Sequence, residues 1–382
     1  MAIGIFGGTF NPPHLGHLRL CEAFATQMHL ERVLVIPTFT PPHKTAPDLA
    51  SCEDRLAMCR RMFAADSRFC VTDTEIERGG KSYTVETLEA LHRQYPNEAL
   101  VLLVGSDMLE SFDTWYRSAD ILRLCTLCAA PRQQGLSLTS DKATLLRDFA
   151  PIEISSTALR EKVRLGEDVR AWVGSDVADY IRAHSLYADP WTAYRRLLRD
   201  KLGDYRLRHS FCVADSARML AQRYGFDPDR AYTAGLLHDV MKDTDKKETL
   251  VFMGKAGVSL TEAELHNPKL WHAMAGEAFL RTELCITDED ILRAVRYHTT
   301  GRGGMTLLEK IIYIADYISA DRVYDGVEKM RTLAQNSLES AMMFGLTFTV
   351  SELCDKEQVI HPDSVDCYND LCILKDKRGG SL

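Results

Sequence analysis

The chain has 382 residues, 46% hydrophobic and 26% charged, with a formal net charge of -8 at pH 7. That length suggests two domains, and the apolar share is enough for two cores and argues against disorder. A mildly acidic chain makes a poor non-specific nucleic-acid binder, because a phosphate backbone must be met by clustered Lys and Arg, whereas small phosphorylated molecules need only a local basic site. Residues 1–8 are apolar but lack a basic start and run into Gly7-Gly8-Thr9, so no signal peptide is expected. No apolar run is long enough for a membrane span. Eleven cysteines without a framework pattern read as reduced thiols, as in a cytoplasm.

Taken in chain order, the first half alternates strands and helices. Short buried strands are expected over 2–6, 32–37, 69–73, 100–104 and 125–130, with helices over 15–29, 53–65, 83–94 and 118–124. Near-continuous apolar strands separated by helices predict a parallel, doubly wound α/β sheet that is Rossmann-like in class and binds ligands at the strands' carboxyl ends. Cys125 and Cys128 form a CxxC in the last strand. Residues three apart on a strand face opposite sides, so these read as two unconnected core thiols. After a helix over 176–183, Ala188-Asp189-Pro190 looks like a boundary. The division expected is 1–187, a linker over 188–192, a second domain over 193–376 and a polar, glycine-rich tail over 377–382. The second domain reads as all-α, with helices over 207–224, 229–240, 271–280, 288–297, 307–318 and 327–344. No internal repeat is visible.

The strongest local signal is Gly7-Gly8-Thr9-Phe10-Asn11-Pro12-Pro13-His14-Leu15-Gly16-His17, between the first strand and the first helix. Glycines there let backbone N–H groups approach a polyphosphate, and the helix N-terminus adds partial positive charge. His14 and His17 share a face at a spacing of three and can donate to phosphate oxygens, with Gly16 leaving room for a nucleotide. The pair alone would be read as two surface histidines at a turn; the glycines and the placement reverse that.

This segment resembles the signature of the HxGH nucleotidyltransferase superfamily. Over residues 1–187 the resemblance is to the nicotinate mononucleotide adenylyltransferases. Supporting segments follow in family order: Ile36-Pro37-Thr38-Phe39-Thr40-Pro41-Pro42-His43-Lys44, Ser82-Tyr83-Thr84-Val85-Glu86-Thr87-Leu88, Gly105-Ser106-Asp107-Met108-Leu109 with Trp115-Tyr116, and Ile154-Ser155-Ser156-Thr157-Ala158-Leu159-Arg160. Asn11 departs from the family's usual Asp, although either side chain can cap the turn. The resemblance implies that Gly7, Gly8, Thr9, Phe10, His14, His17, Gly105, Asp107, Ser156 and Arg160 hold ATP, with His14 and His17 acting in catalysis. It implies that Lys44, Thr84, Trp115 and Tyr116 hold nicotinate mononucleotide, Trp115 stacking on the pyridine ring. The implied reaction is direct displacement at the α-phosphorus with loss of pyrophosphate, driven by positioning and charge stabilisation, and Mg²⁺ accompanies the triphosphate.

The second half places His209, His238-Asp239, His272, His298 and Asp316 at helical positions. Imidazole and carboxylate suit Fe, Zn or Mn. A His-Asp pair in the apolar stretch 234–240, and Asp316 inside an apolar helix, are hard to explain as core packing, since unpaired buried charge is costly. His266 and His361, in Pro-adjacent loop-like stretches, receive no role. The order matches the HD phosphohydrolase superfamily, and over about 193–375 it resembles the bacterial HD proteins that hydrolyse diadenosine tetraphosphate symmetrically. The pieces that carry this are Leu207-Arg208-His209-Ser210, Gly235 to Asp243, Trp271-His272-Ala273, Tyr297-His298-Thr299-Thr300-Gly301 and Lys310 to Ile318. The resemblance implies one metal on His209, His238, Asp239 and Asp316, and a second on His272 and His298 with Asp239 bridging, both transition metals, iron first and Mn or Zn open. Asp239 and Lys242 would act in catalysis, and Lys242, Thr299 and Arg302 would meet the phosphates.

Three other readings stay open at this stage. The first half could use pantetheine phosphate or a cytidylyl acceptor. The second could hydrolyse other nucleotides, or sense them without turnover. The expected partners are small molecules, with no nucleic acid and no membrane, and the expected compartment is the cytoplasm.

Overall fold

The computed structural model describes residues 2–40, 48–130, 142–147, 149 and 152–377. Packing divides the chain into two compact units, Met1–Thr192 and Ala193–Leu382.

The first unit runs β1 (Ala2–Gly8), α1 (Leu15–Gln27), β2 (Arg32–Pro37), α2 (Cys52–Met62), β3 (Phe69–Val71), α3 (Thr74–Arg78), α4 (Thr84–Gln94), β4 (Ala99–Gly105), α5 (Ser106–Glu110), α6 (Ser118–Leu124), β5 (Thr126–Ala130), β6 (Ala143–Leu145), α7 (Ser156–Arg164), α8 (Arg170–Val173) and α9 (Ser175–Ala183). The strands form a parallel sheet in the order β3-β2-β1-β4-β5-β6. Both faces are covered, so both sets of alternating side chains are apolar. Val33, Val35, Val101, Leu103 and Cys128 enter one core, while Ile3, Ile5, Leu34, Ile36, Leu100, Leu102 and Leu127 enter the other. Cys125 packs in the second core and Cys128 in the first, so the two thiols are indeed unconnected. Burial pushes both thiols up to about 12.

The sheet differs in detail from the pattern expected. β3 stops at Val71, because α3 follows from Thr74. β6 is a three-residue edge strand, too short to show a period. The chain order reverses between β1 and β4, which opens a crevice at their carboxyl ends.

The second unit is helical throughout its described residues: α10 (Thr192–Lys201), α11 (Asp204–Tyr224), α12 (Pro228–Leu237), α13 (Lys246–Lys255), α14 (Glu262–Leu265), α15 (Trp271–Thr282), α16 (Glu289–Tyr297), α17 (Leu307–Ile318), α18 (Val327–Asn336), α19 (Leu338–Asp355) and α20 (Pro362–Lys377). α17 is the central rod. Leu308, Ile311, Ile312, Tyr313, Ile314 and Ala315 on it are buried among α11, α12, α16, α18 and α19. The single helix expected over 327–344 is two. Ser337 is extended (φ -156°, ψ 124°) and its hydroxyl accepts from Ser340 N, capping α19. The helix expected over 229–240 ends at Leu237, with His238 as its C-cap, still in the right-handed helical conformation (φ -56°, ψ -37°). Among the described residues no helix is long and apolar enough to cross a membrane.

Candidate functional site

In the first unit the glycines end β1 at the crevice. Gly7 and Gly8 pair with Ile36 and Pro37, and a side chain added at Gly7 would meet nothing within 4 Å. Phe10, expected on the ATP side, turns its ring into the core between Phe6, Phe63 and His17, with backbone φ of 50°. Its side chain is a packing residue. His14 caps α1 and His17 lies one turn on. His14 N donates to His17 Nδ1 at 3.1 Å, so a neutral His17 carries its proton on Nε2, a donor suited to a phosphate oxygen. The two rings lie 3.7 Å apart. The space Gly16 provides is filled from within: a Cβ there would sit 2.9 Å from His14 Nδ1 and 3.3 Å from Ile154 Cγ2.

Residues far apart in sequence are tied to this loop. Ser156 Oγ donates to Pro12 O at 2.9 Å, and Arg160 Nη1 donates to Asn11 O at 3.0 Å, leaving Arg160 Nε buried without a hydrogen-bond partner. Arg55, buried, donates to Thr9 O, Phe39 O and Ala50 O and so pins three loops together. Asn11 uses both ends of its amide. Nδ2 donates to Asp48 O, while Oδ1 accepts from Ala50 N and from the Tyr187 hydroxyl. An Asp at this position could accept the last two bonds and not make the first, which is why Asn serves here.

Gly105 ends β4 across the crevice. Asp107 lies in α5, and its side chain is outside the description. Of the residues expected to hold the acceptor, Thr84 opens α4 and Trp115-Tyr116 precede α6. Tyr83 and Tyr116 pack at 4.8 Å and bring the two segments together; Trp115 is half-buried on Phe112. Lys44 lies outside the described residues.

In the second unit all six candidate ligands converge. α11 carries His209, α15 His272 and α17 Asp316, while His238-Asp239 follow α12 and His298 follows α16. Two groups offer donor atoms within 4.8 Å of one another: His209, His238 and Asp316, and His238, Asp239 and His298. His272 joins the second, its Nε2 lying 3.2 Å from both Asp239 Oδ1 and His298 Nε2. Asp239 also reaches His238 with its other oxygen, at 3.6 Å.

The backbone sets the tautomers. Nδ1 of His238, His272 and His298 donates to the carbonyl three residues earlier, on Gly235, Lys269 and Val295. Each neutral ring therefore turns a lone pair inward at Nε2. The His238 Nε2 is buried without a hydrogen-bond partner, and the Nε2 atoms of His272 and His298 face each other at 3.2 Å. Converging lone pairs around buried carboxylates fit a divalent cation. Burial pulls His238 and His272 down to about 4, keeping them neutral as ligands must be. Burial pushes Asp239 up, but the groups around it, the Lys242 ammonium among them, outweigh that and hold the carboxyl well below the usual range. For His209, burial works downward and is outweighed by Asp316, so its pKa is raised.

Sequence reasoning missed three neighbours. Asp321 Oδ2 accepts from His209 Nδ1 at 2.8 Å and orients that ring. Arg322 pairs with Asp316 and reaches within 3.3 Å of His209 Nε2. Arg206 Nη1 lies 3.6 Å from Asp239 Oδ2. Asp321-Arg322 closely follow Asp316, and Arg206 precedes His209 by three. Those spacings were the available signal. Lys242 Nζ stands 2.9 Å from His272 Nε2, as a group acting at this cluster would. Arg302 is forked onto the buried Glu309 at the start of α17, with Nε 2.6 Å from Oε1. Thr299 Oγ1 is buried without a hydrogen-bond partner.

Comparison with known proteins separates along the same lines. Residues 5–162 match the cytidylyltransferase-like family, and residues 206–321 match the HD domain. A probable nicotinate-nucleotide adenylyltransferase of Synechococcus sp. (strain JA-3-3Ab) is 40% identical over 201 residues, covering 49% of this chain and 95% of that protein. A symmetrical bis(5'-nucleosyl)-tetraphosphatase of Halalkalibacterium halodurans is 39% identical over 178 residues, covering 47% of this chain and 95% of that one. The crystal structure of a predicted HD superfamily hydrolase involved in NAD metabolism from Clostridium acetobutylicum is 35% identical, with a TM-score of 0.46, covering 48% of this chain and 98% of that one. The chain therefore belongs to two families at once, the nicotinate-nucleotide adenylyltransferases through its first half and the HD-domain symmetrical bis(5'-nucleosyl)-tetraphosphatases through its second.

Proposed function

We propose that the protein is a bifunctional enzyme. Its first unit transfers the adenylyl group of ATP to nicotinate mononucleotide, releasing pyrophosphate, and its second hydrolyses diadenosine tetraphosphate to two ADP. For the transferase, the supporting observation is the fastening of Ser156 and Arg160 onto the loop that carries His14 and His17, at the β1/β4 crevice. The acceptor phosphate displaces pyrophosphate at the α-phosphorus. His17 Nε2–H and the Arg160 guanidinium meet charge that grows on the leaving group, so no side-chain nucleophile is needed. Mg²⁺ arrives with the triphosphate. Trp115 and Tyr116 receive the pyridine ring beside Thr84. Trp115→Ala is expected to raise KM for nicotinate mononucleotide about tenfold while leaving KM for ATP within about twofold, since stacking on an aromatic adds about 0.5–1.5 kcal/mol beyond buried area. Equal losses for both substrates would point to a folding defect and count against the assignment.

For the hydrolase, the supporting observation is the buried convergence of four imidazoles and two carboxylates. His209, His238, Asp239 and Asp316 would hold one divalent ion, and His272 and His298 with Asp239 a second; iron is the first candidate. Such ions, when bound, supply Lewis-acid polarisation of the phosphate and a lowered pKa for water. The chain's own part is positional. Three backbone carbonyls and Asp321 fix the rings, and Lys242 places a cation beside His272 and Asp239, where negative charge gathers on the attacked phosphate. Purified protein reconstituted anaerobically with Fe²⁺ or Mn²⁺ should convert diadenosine tetraphosphate to ADP alone. Metal uptake without that conversion would refute the substrate, and failure to take up metal would refute the centre.

A further inference from the structure

The mechanism leaves unassigned a group of residues on the rim of the metal-ligand cluster. On α11, Tyr205 and Arg206 precede His209 by four and three positions and so share its face. Arg206 reaches Asp239 Oδ2 only at 3.6 Å, beyond hydrogen-bond length. Its guanidinium carbon lies 5.6 Å from the centre of the Tyr205 ring. Tyr205 is 61% exposed, and it acts electrostatically on Arg322. Arg322 donates from Nε to Asp316 O at 2.8 Å and pairs with the Asp316 carboxylate. A single exposed aromatic usually means nothing. An exposed aromatic beside one guanidinium and in electrostatic reach of a second, both leaning on metal-ligand carboxylates, has the makings of a nucleotide site, with a flat platform for a base and planar donors for phosphate.

We propose that Tyr205, Arg206 and Arg322 form the nucleotide subsite of the second unit, with the base stacked on Tyr205 and the phosphate oxygens held by Arg206 and Arg322. This rests on the reading of that unit as a dinucleoside polyphosphate hydrolase. The subsite selects for nucleosides joined to a phosphate chain over bare polyphosphate, through the ring, and it binds the chain's charge through the arginines. Arg206 and Arg322 bind substrate without polarising the attacked bond, so their loss weakens binding more than turnover.

The test uses full-length, metal-loaded protein and reads inhibition of diadenosine tetraphosphate hydrolysis by two probes, ADP and tripolyphosphate. Because hydrolysis is the readout, nucleotide bound elsewhere on the chain does not enter. Tyr205→Ala should raise the inhibition constant of ADP about tenfold and leave that of tripolyphosphate unchanged, because base–aromatic stacking is the only contact removed. Tyr205→Phe should keep both constants. Arg206→Gln and Arg322→Gln should each raise both constants severalfold, with metal content by elemental analysis equal to wild type. An unchanged ADP constant in Tyr205→Ala, or an equal rise for both probes, overturns the stacking role. Normal tripolyphosphate inhibition in an arginine variant, or loss of bound metal from it, overturns that arginine's assignment. A wild-type protein that takes up metal and leaves diadenosine tetraphosphate intact overturns the hydrolase reading itself, a result distinct from an active wild type with indifferent variants.

Discussion

At the scale of single residues, hydrogen bonds decide what the titratable groups can do. His17 accepts from His14 N at Nδ1, which commits Nε2 to donation. Removing that donor takes away stabilisation of charge present mainly in the transition state. His17→Ala is expected to lower kcat for adenylyl transfer about 10²-fold or more with a small change in KM for ATP. Steady-state kinetics decide it, and near-normal turnover would mean that the phosphate assignment is wrong. In the second unit Asp239 is the residue with neighbours on every side, namely His238, His272, His298, Lys242 and Arg206. Asp239→Ala should therefore empty the whole cluster, whereas His298→Ala should release mainly one ion. Elemental analysis of the purified variants measures this directly, and two ions retained by Asp239→Ala would show that the carboxylate is not shared. Adenylyl transfer should be unaffected in both.

At the scale of elements, close crossings and caps bring these residues into reach. α11 and α12 meet at Gly235, where an added Cβ would lie 2.9 Å from Ala214 Cα and 3.1 Å from Val213 O. In an open helix interior, Gly→Ala gains about 0.8–1.0 kcal/mol from propensity. Here the obstruction is backbone, and overpacking costs about 1–3 kcal/mol, which outweighs the gain. Gly235→Ala should lower the melting temperature of the second unit by about 2–4 °C for each net kcal/mol lost, and should loosen metal binding by parting His209 from His238. Differential scanning calorimetry reads the first effect, and a raised melting temperature would refute the crossing. The ends of the partner helices are fixed in sequence-readable ways. Asp227 caps α12, with Pro228 in its first turn; Asp288 caps α16; and Thr306 forms a capping box with Glu309 at α17.

For the whole molecule, each unit has its own buried core. In the first unit, Tyr187 is buried and its hydroxyl bonds to Asn11, while Thr192 Oγ1 donates to Arg164 O. Fragments 1–192 and 193–382 should each fold and keep one activity, and effects of substitutions in one should add to those in the other. A first fragment ending at residue 185 should melt measurably lower, because it loses the Tyr187 ring and leaves Asn11 Oδ1 short of a partner. Insoluble halves, or a single joint melting transition that neither half reproduces, would refute the autonomy of the units.

Some of this was written in local order along the chain. Apolar runs separated by helices gave the parallel sheet, because a sheet covered on both faces must be apolar on both, and that pattern needs no partner to be visible. The HxGH segment, the HD pair and the acid inside α17 stood out because a charged or phosphate-directed group in an apolar or glycine-rich setting conflicts with packing. The break at Ser337 is marked in the sequence by a capping residue, but the apolar period continues on both sides and masks it. The roles of Asn11, Arg55, Asp321, Arg206 and Arg322 were decided only in three dimensions. Each acts through partners distant in sequence: Asn11 through Tyr187, Arg55 through Thr9, Asp321 through His209, Arg206 through Asp239, and Arg322 through His209. No local period encodes such pairings, because a hydrogen bond or ion pair depends on distance in space, and packing of the helices and loops sets that distance. Arg302 shows the same limit from the other side. It sits beside a phosphate-suited motif in sequence, and only the fold shows that it also offsets the cost of burying the Glu309 carboxylate.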